Sequence, residues 1–247
     1  MRRSRGKRSV PTLQDASGVW GMNEAYEARL DDIWPVLDIT KTDLVLYLNA
    51  KKDYGTTWLN QVSGPNGSAS NVTFNGSNAS FNGTSSVVTI NGSGLNFATE
   101  QTVMLVLKPT EADSNRRNPY NQAYGGYGTI THETAGVFSY YHGTNGGDGS
   151  NYQGHGSDFT VAQNELACIV HTRTQSTLSW YKNGTLDNSV SNTYPTAASS
   201  VNNILIGNGY TNEFLGEINL VALYDRALTA TEIQNSYNNI KTDFGLP

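Results

Sequence analysis

Residues 111–158 combine the side chains with which proteins hold small polar ligands. Tyrosines, histidines and carboxylates recur there, separated by glycine and asparagine. A tyrosine ring stacks on the apolar face of a sugar, while its hydroxyl and nearby amides bind the sugar hydroxyls. The composition predicts a carbohydrate-binding region with six candidate contact residues: Tyr124, Tyr127, His132, His142, Tyr152 and His155.

The same segment also fits a purely structural role. Tyr140 and Tyr141 would lie on one strand and point to opposite faces of a sheet, because successive strand residues alternate. The loops around them would then be solvated connections that hold no ligand. The sequence leaves both alternatives open.

Metal binding and catalysis have less support in the sequence. The histidines lack the H-E-x-x-H spacing of a zinc site. Asp148 and Asp158 are the calcium candidates, but no compact Asp-x-Asp ligand run accompanies them, so no cofactor is predicted. Retaining glycoside hydrolases need two carboxylates about 5 Å apart. One group of all-β hydrolases places the two on one strand in a Glu-x-Asp-x-x-Glu pattern, which does not occur in this chain, so the chain is predicted to be non-enzymatic.

The rest of the chain predicts the elements that would position these side chains. Charged residues make up only 15% of the chain, and Asn-Gly turns separate short apolar segments, as is typical of all-β proteins. The predicted strands are residues 44–48, 72–74, 79–81, 87–90, 103–109, 128–130, 137–141, 167–173, 178–181, 204–206 and 217–224. Strands of this number and spacing indicate a two-sheet antiparallel jelly-roll sandwich.

A short helix is predicted to follow the last strand. Thr229 and Glu232 have the three-residue spacing of a capping box, in which each side chain satisfies a free backbone N–H at the helix start. Cys168 lies in an apolar run at residues 166–170 and is predicted to be a buried, unreactive thiol.

Three motifs resemble those of laminin-G-like, concanavalin A-like domains. They are the closing strand and helix FLGEINLVALYDRALTATEI at residues 214–233, the hairpin LSWYKNG at 178–184, and SNASFNG at 77–83. The resemblance implies an all-β jelly-roll sandwich over residues 44–247 with a short C-terminal helix. It implies less about function, because sandwich folds host many unrelated activities.

Residues 1–43 are predicted to form an extended arm that attaches the sandwich to another surface. Five of the 16 basic residues lie in the first eight positions, which leaves eleven basic against 21 acidic residues and a net charge of −10 for the rest. A solvated terminus without a partner is the alternative. The predicted anchoring residues are Arg2, Arg3, Arg5, Lys7, Arg8, Trp20, Tyr26 and Trp34.

Residues 17–35 resemble short attachment segments of tailed-phage structural proteins. No apolar signal-peptide core follows the basic stretch, and no run of about 18 apolar residues predicts a membrane span. Release by cell lysis would reconcile these features, so a virion location is predicted. Other virion proteins would be the partners of the arm.

Together these observations predict a non-enzymatic virion structural protein. Its sandwich would be displayed outward and adhere to host surface glycans, as a tail fibre or adhesin does. The alternatives are a capsid decoration protein that binds no sugar and a free carbohydrate-binding lectin module. A body with a net charge of −10 is a poor partner for nucleic acid, and a homo-oligomer is expected.

Overall fold

The fold comes from a computed structural model that describes residues 39–110, 115–200 and 202–247, without the side chains of residues 52–54. All the predicted anchoring residues lie outside the described residues, so the attachment arm stays a prediction.

The described chain begins with a segment that was predicted to belong to the arm. Ile39 is 4% exposed, the backbone N–H of Thr40 donates to Ser236 Oγ at 3.1 Å, and the Tyr224 hydroxyl donates to the Thr40 carbonyl at 2.8 Å. The compact unit therefore runs from Ile39 to Pro247, rather than from residue 44.

The first sheet of the sandwich is built around the closing strand. Its order across the sheet is β2 (Thr57–Asn60), β1 (Leu44–Tyr54), β17 (Leu215–Tyr224), β7 (Gln101–Pro109), β12 (Ala167–Arg173), β13 (Thr177–Lys182) and β14 (Thr185–Ser191). The first half of β17 also pairs with β7, but on its other side β5 (Ala79–Asn82) takes the place of β1, and β5 pairs in turn with β4 (Thr73–Phe74). All these pairings are antiparallel.

The second sheet faces the first and carries most of the candidate region. Its order is β3 (Gly67–Ser70), β6 (Val87–Ile90), β15 (Ile204–Ile206), β8 (Arg117–Gln122), β9 (Gly128–His132), β10 (Val137–Gly143) and β11 (Tyr152–Thr160). The short β16 (Asn212–Glu213) runs parallel to the start of β8. Pairing of β2 with β3 joins the two sheets along one edge.

The core lies between the sheets and follows the two-residue alternation of strands. On β7, Val103, Leu105 and Leu107 point into it, and Met104 and Val106 are buried on the opposite face. Burial on both faces explains why this strand is apolar throughout, as the sequence predicted for a central strand. The all-β sandwich is confirmed.

The C-terminal helix α1 (Ala230–Phe244) begins as predicted. Glu232 N–H donates to the Thr229 hydroxyl at 3.3 Å, and Thr229 N–H donates to Glu232 Oε2 at 2.8 Å, which completes the capping box. A hydrogen bond from Arg226 lowers the pKa of Glu232 to about 2. Cys168 is fully buried and free, and burial raises the pKa of its thiol to about 12, so the prediction of an unreactive core thiol is confirmed.

Within the described ranges, no helix has the length and apolar character needed to cross a bilayer.

Candidate functional site

Four tyrosines contact one another on the outer face of the second sheet, and we call them the tyrosine quartet: Tyr124, Tyr141, Tyr152 and Tyr210. The Tyr124 ring centroid lies 5.1 Å from that of Tyr152 and 4.7 Å from that of Tyr210. Tyr141 completes the cycle, at 5.9 Å from Tyr152 and 6.4 Å from Tyr210. Tilted and edge-to-face contacts at these distances are favourable, so each ring restrains its neighbours.

The strands explain how tyrosines distant in the sequence meet. Tyr141 lies on β10 and faces outward, because its neighbour Tyr140 points into the core. Tyr152 opens the adjacent β11, and Tyr124 lies in the turn that follows β8. Tyr210 lies between β15 and β16. Tyr152 is 47% exposed, so it offers a ring to a ligand in solution.

An ion pair fixes one side of the quartet. Arg116 Nε donates to Glu133 Oε2 at 2.6 Å, and its Nη2 donates to Glu133 Oε1 at 3.0 Å. Nη2 also donates to the hydroxyls of Tyr141 and Tyr210, at 3.1 and 2.8 Å. The hydrogen bond to Glu133 raises the pKa of Arg116. Burial raises the pKa of Tyr210 to about 12, so this hydroxyl stays neutral at ordinary pH.

An open groove of about 490 Å³ adjoins the quartet, and it is lined by Asn121, Asp148, Asn202, Asn203, Leu205 and Gly209. Asn121 on β8 and Leu205 on β15 are cross-strand partners. Asp148 Oδ1 accepts a hydrogen bond from the Tyr124 N–H at 2.9 Å, and Gly209 precedes Tyr210 in the chain. The groove and the quartet therefore form one continuous surface of amides, a carboxylate and aromatic rings.

Glycines allow the loops around the groove to pack backbone against backbone. Gly125 N–H donates to the Gly147 carbonyl at 3.0 Å, and the Gly125 carbonyl accepts from Asn145 and Gly146 at 2.8 Å each. A Cβ at position 125 would lie only 2.6 Å from the Gly147 oxygen. A larger residue would separate the loop of Tyr124 from the loop of Asp148.

The structure brings two of the six predicted contact residues, Tyr124 and Tyr152, to this surface. Tyr127 is only 5% exposed, and its hydroxyl donates to Asn96 at 3.2 Å. His132 pairs across the ladder with Phe138 and so faces the core, where the two rings lie 4.8 Å apart. Burial removes Tyr127 and His132 from the candidate surface.

His142 and His155 also lie in the core. His142 shares the parity of Tyr140 on β10, and His155 is the cross-strand partner of Tyr140, so all three side chains face inward. His142 Nε2 lies 3.0 Å from Asn192 Oδ1, and His155 Nδ1 lies 3.1 Å from His171 Nε2. The prediction placed these histidines in contact with a ligand at the surface. Strand alternation instead directs both side chains into the core.

Burial lowers the pKa of the three core histidines that surround Tyr140, which are His142, His155 and His171. The pKa of His142 falls to about 4, through burial and the nearby positive charge of Arg173. Burial also lowers the pKa of His155 and places that of His171 well below its usual range. Neutral imidazoles are therefore the stable form in the folded protein at neutral pH.

The calcium candidates lie on different elements. Asp148 belongs to the groove loop, whereas Asp158 lies on β11, where its N–H donates to Asp187 Oδ2 at 2.8 Å. Across residues 39–110, 115–200 and 202–247, no group of three or more His, Cys, Asp or Glu side chains is arranged to hold a metal ion. The two aspartates stay untested calcium candidates, and no cofactor is predicted.

Several residues of the surface carried no prediction of a binding role. Tyr141 is not among the six predicted contact residues, although its outward parity opposite Tyr140 was the available signal. Nothing in the sequence places Arg116 beside Glu133, because their contact depends on the pairing of β8 with β9. The other residues without such a prediction are Asn121, Asn202, Asn203, Leu205 and Gly209 in the groove and Tyr210 in the quartet.

The family of the chain follows from its sequence over these same strands. A family profile described as the concanavalin A-like lectin/glucanases superfamily matches residues 81–234, from β5 into α1. The chain belongs to this superfamily. The laminin-G-like, concanavalin A-like resemblance is thereby confirmed. No curated protein matches the chain.

Solved structures show the same fold at low sequence identity. The receptor binding domain of botulinum neurotoxin D superposes with a TM-score of 0.63 at 16% identity, covering 79% of this chain and 52% of that one. Trypanosoma rangeli sialidase gives a TM-score of 0.64 at 14% identity, covering 83% of this chain and 34% of that one. The chain thus spans about half the length of the toxin domain and about a third of the sialidase.

Proposed function

We propose that this protein is a non-enzymatic carbohydrate-binding module whose ligand lies in the groove and against the tyrosine quartet. The observation that carries the proposal is the continuity of the two surfaces, made by the hydrogen bond from Tyr124 N–H to Asp148. A sugar would stack on an exposed ring such as Tyr152 while its hydroxyls bind the amides of the groove.

The family and the neighbouring folds support this proposal in general terms. The superfamily is named for lectins and glucanases, and the similar structures include a toxin receptor binding domain and a sialidase. Their names describe those proteins, and the fold alone would serve many activities. The chemistry of the groove in this chain therefore carries the argument.

The carboxylates of the surface favour binding over hydrolysis. Glycoside hydrolysis uses one carboxylic acid to protonate the leaving group and a second carboxylate as nucleophile or base. Both oxygens of Glu133 accept hydrogen bonds from Arg116, and Oε1 also accepts from the Tyr141 hydroxyl. Glu133 is thus engaged in holding the quartet, which leaves Asp148 as the exposed carboxylate of the groove lining.

A glycan array followed by calorimetry on the bound sugar tests the proposal. Wild type is expected to bind at least one glycan without releasing a hydrolysis product. Tyr152→Ala should weaken binding about tenfold, because a stacking ring is lost. Repeating the array with a chelator tests the predicted calcium candidates.

Leu186→Ala is the matched control for this test. Leu186 on β14 is 51% exposed, close to the 47% of Tyr152, so both substitutions remove an exposed apolar group. The control should bind like wild type. Equal loss in both variants, or glycan hydrolysis by wild type, would contradict the proposal.

A second, more specific proposal assigns this module to a phage particle. We propose that residues 1–38 anchor the domain to other virion proteins and that the sandwich is displayed outward for host attachment. The concentration of basic residues at the N-terminus of an acidic chain supports it, together with the resemblance to phage attachment segments. Capsid decoration without sugar binding and a free lectin module remain the rival roles.

Particle incorporation separates these roles. A chain lacking residues 1–38 keeps the whole compact unit from Ile39 and should fold but fail to incorporate. Immunogold label on the tail of density-purified particles supports attachment, and label over the head supports decoration. Absence of label from every particle would leave the free lectin.

A further inference from the structure

Among the described residues, the groove lining carries negative charge without a compensating cation. These lining residues are three asparagines, Asp148, Leu205 and Gly209. Asp148 is exposed, and its Oδ1 accepts the Tyr124 N–H. The second oxygen, Oδ2, is available to accept a hydrogen bond from a ligand.

Arg116, which contacts the quartet, is already paired with Glu133. Arg116 lies 5.7 Å from the Tyr141 ring centroid and 5.5 Å from that of Tyr210. Its Nε and Nη2, the fork that binds a carboxylate in two-point geometry, both donate to Glu133. A ligand carboxylate would therefore have to displace Glu133 to reach the same fork.

Neutral sugars and acidic sugars meet opposite conditions at such a surface. A sugar hydroxyl can donate a charge-assisted hydrogen bond to Asp148, and other hydroxyls can exchange hydrogen bonds with the amides of Asn202 and Asn203. A ligand carboxylate is repelled by Asp148 when it approaches within several ångströms. It also loses water without gaining an ionic partner among the described residues that line the groove.

We infer that the groove selects neutral glycans and discriminates against glycans that end in a carboxylate-bearing sugar. The inference rests on the proposed function and adds the chemical class of the ligand. Asp148 is the residue that sets the discrimination. Glu133 maintains it by occupying the guanidinium of Arg116. Asp148 is a specificity-determining contact, whereas Glu133 acts through Arg116.

Calorimetry with matched oligosaccharides tests the inference. Each pair consists of a neutral glycan bound by wild type and the same glycan extended by one terminal sialic acid. The acidic member should bind wild type about tenfold more weakly. Raising the ionic strength should reduce this difference, since salt screens the repulsion at an exposed site.

Three isosteric substitutions, one of them a control, locate the effect. Asp148→Asn should bring the two affinities within about threefold of each other, and Asp158→Asn is the control, because Asp158 is exposed on β11 and outside the groove lining. Glu133→Gln should raise affinity for the acidic member by releasing the Arg116 fork. Unfolding curves of the variants show whether each is folded.

The outcomes separate the two proposals. Equal or tighter wild-type binding of the acidic member overturns the inference and leaves carbohydrate binding intact. An Asp148→Asn variant that keeps the full discrimination also overturns it. Failure of wild type to bind any glycan overturns the proposed function and the inference with it.

Discussion

Tyr140 and Tyr141 are neighbours on β10, yet they belong to different parts of the molecule. Tyr140 is fully buried, and its ring stacks on His171 at 3.8 Å. Its hydroxyl lies 2.8 Å from Gln101 Oε1 and accepts a hydrogen bond from Arg173 Nε at 3.1 Å. Tyr141 is partly exposed, and its hydroxyl joins the pair of Arg116 and Glu133.

We call the buried surroundings of Tyr140 the inner layer and the surroundings of Tyr141, with the quartet and the groove, the outer layer. The two layers differ in how a positive charge is stabilised. In the inner layer the guanidinium of Arg173 is fully buried and donates to neutral acceptors, the Phe97 and Ala98 carbonyls and the Tyr140 hydroxyl. In the outer layer the guanidinium of Arg116 is neutralised by Glu133. A buried charge is tolerated only when it is hydrogen-bonded, and each nitrogen of the Arg173 guanidinium donates at least one hydrogen bond, so the inner layer is structural. The outer layer keeps rings and polar atoms available to a ligand.

Alanine substitutions of Tyr140 and Tyr141 should show the largest difference between the inner and outer layers. Tyr140→Ala should lower the free energy of unfolding by about 3–5 kcal/mol, because it creates a cavity and removes an acceptor of a buried arginine. Tyr141→Ala should lower it by about 1 kcal/mol but abolish glycan binding. Urea unfolding measures the first effect and calorimetry the second. Similar losses of stability in both variants would contradict the division into two layers.

Acid should weaken the inner layer before it affects the ion pairs. The pKa of His142 is about 4 in the folded protein, below its ordinary value of about 6.5, so the unfolded chain binds the proton first. The stability contribution is complete above pH 6.5 and is lost as the pH falls towards 4, reaching about 3 kcal/mol for His142 alone. His155 and His171 shift in the same direction.

Unfolding curves at several pH values between 7 and 4 check this dependence. His142→Gln should reduce the slope of unfolding free energy against pH by about one proton. The carboxylate of Glu232 has its pKa lowered to about 2, so its contribution is lost at lower pH and does not account for the decline above pH 5. A stability that is constant from pH 7 to 5 would contradict the neutral, buried state of these histidines.

The fold was largely predictable because the apolar strands follow the expected alternation. β12 and β15 have their predicted bounds, and the closing strand and helix are confirmed. β8 and β11 were missed because their sequences, RNPYNQ and YQGHGSDFT, resemble loops. β8 is nevertheless buried throughout, and its Asn118 is engaged by Thr211, whose N–H and hydroxyl both donate to the Asn118 Oδ1.

The candidate surface was predictable only in part. A tyrosine-rich segment indicated Tyr124 and Tyr152, but composition does not say which side of a strand a residue occupies. Because β11 was not predicted, the inward direction of His155 could not be derived. Tyr210 joins the quartet from a distant part of the chain, through the pairing of β15 and β16 with β8. Such contacts depend on tertiary topology, which local patterns do not contain.

A substitution between two loops should damage the outer layer selectively. Gly125→Ala places a Cβ 2.6 Å from the Gly147 carbonyl oxygen, so the loops of Tyr124 and Asp148 must separate. We expect loss of glycan binding and a stability decrease of about 1–3 kcal/mol. Gly147→Ala is the control, since its Cβ would meet nothing closer than 3.6 Å. Intact binding by Gly125→Ala would show that the groove does not need this close packing.

The smallest expected difference between the two layers comes from removing only the hydroxyl oxygen of Tyr140 or of Tyr141. Tyr140→Phe leaves the N–H of Arg173 Nε without its buried acceptor and should lower the unfolding free energy by about 1–3 kcal/mol. Tyr141→Phe should lower it by about 0.5 kcal/mol, because water reaches the half-exposed site and Glu133 still accepts from Arg116. Chemical unfolding of both variants at pH 7 measures the difference. A larger loss for Tyr141→Phe would mean that the Arg116–Glu133 pair depends on this hydroxyl, and the outer layer would then contribute to stability as well as to binding.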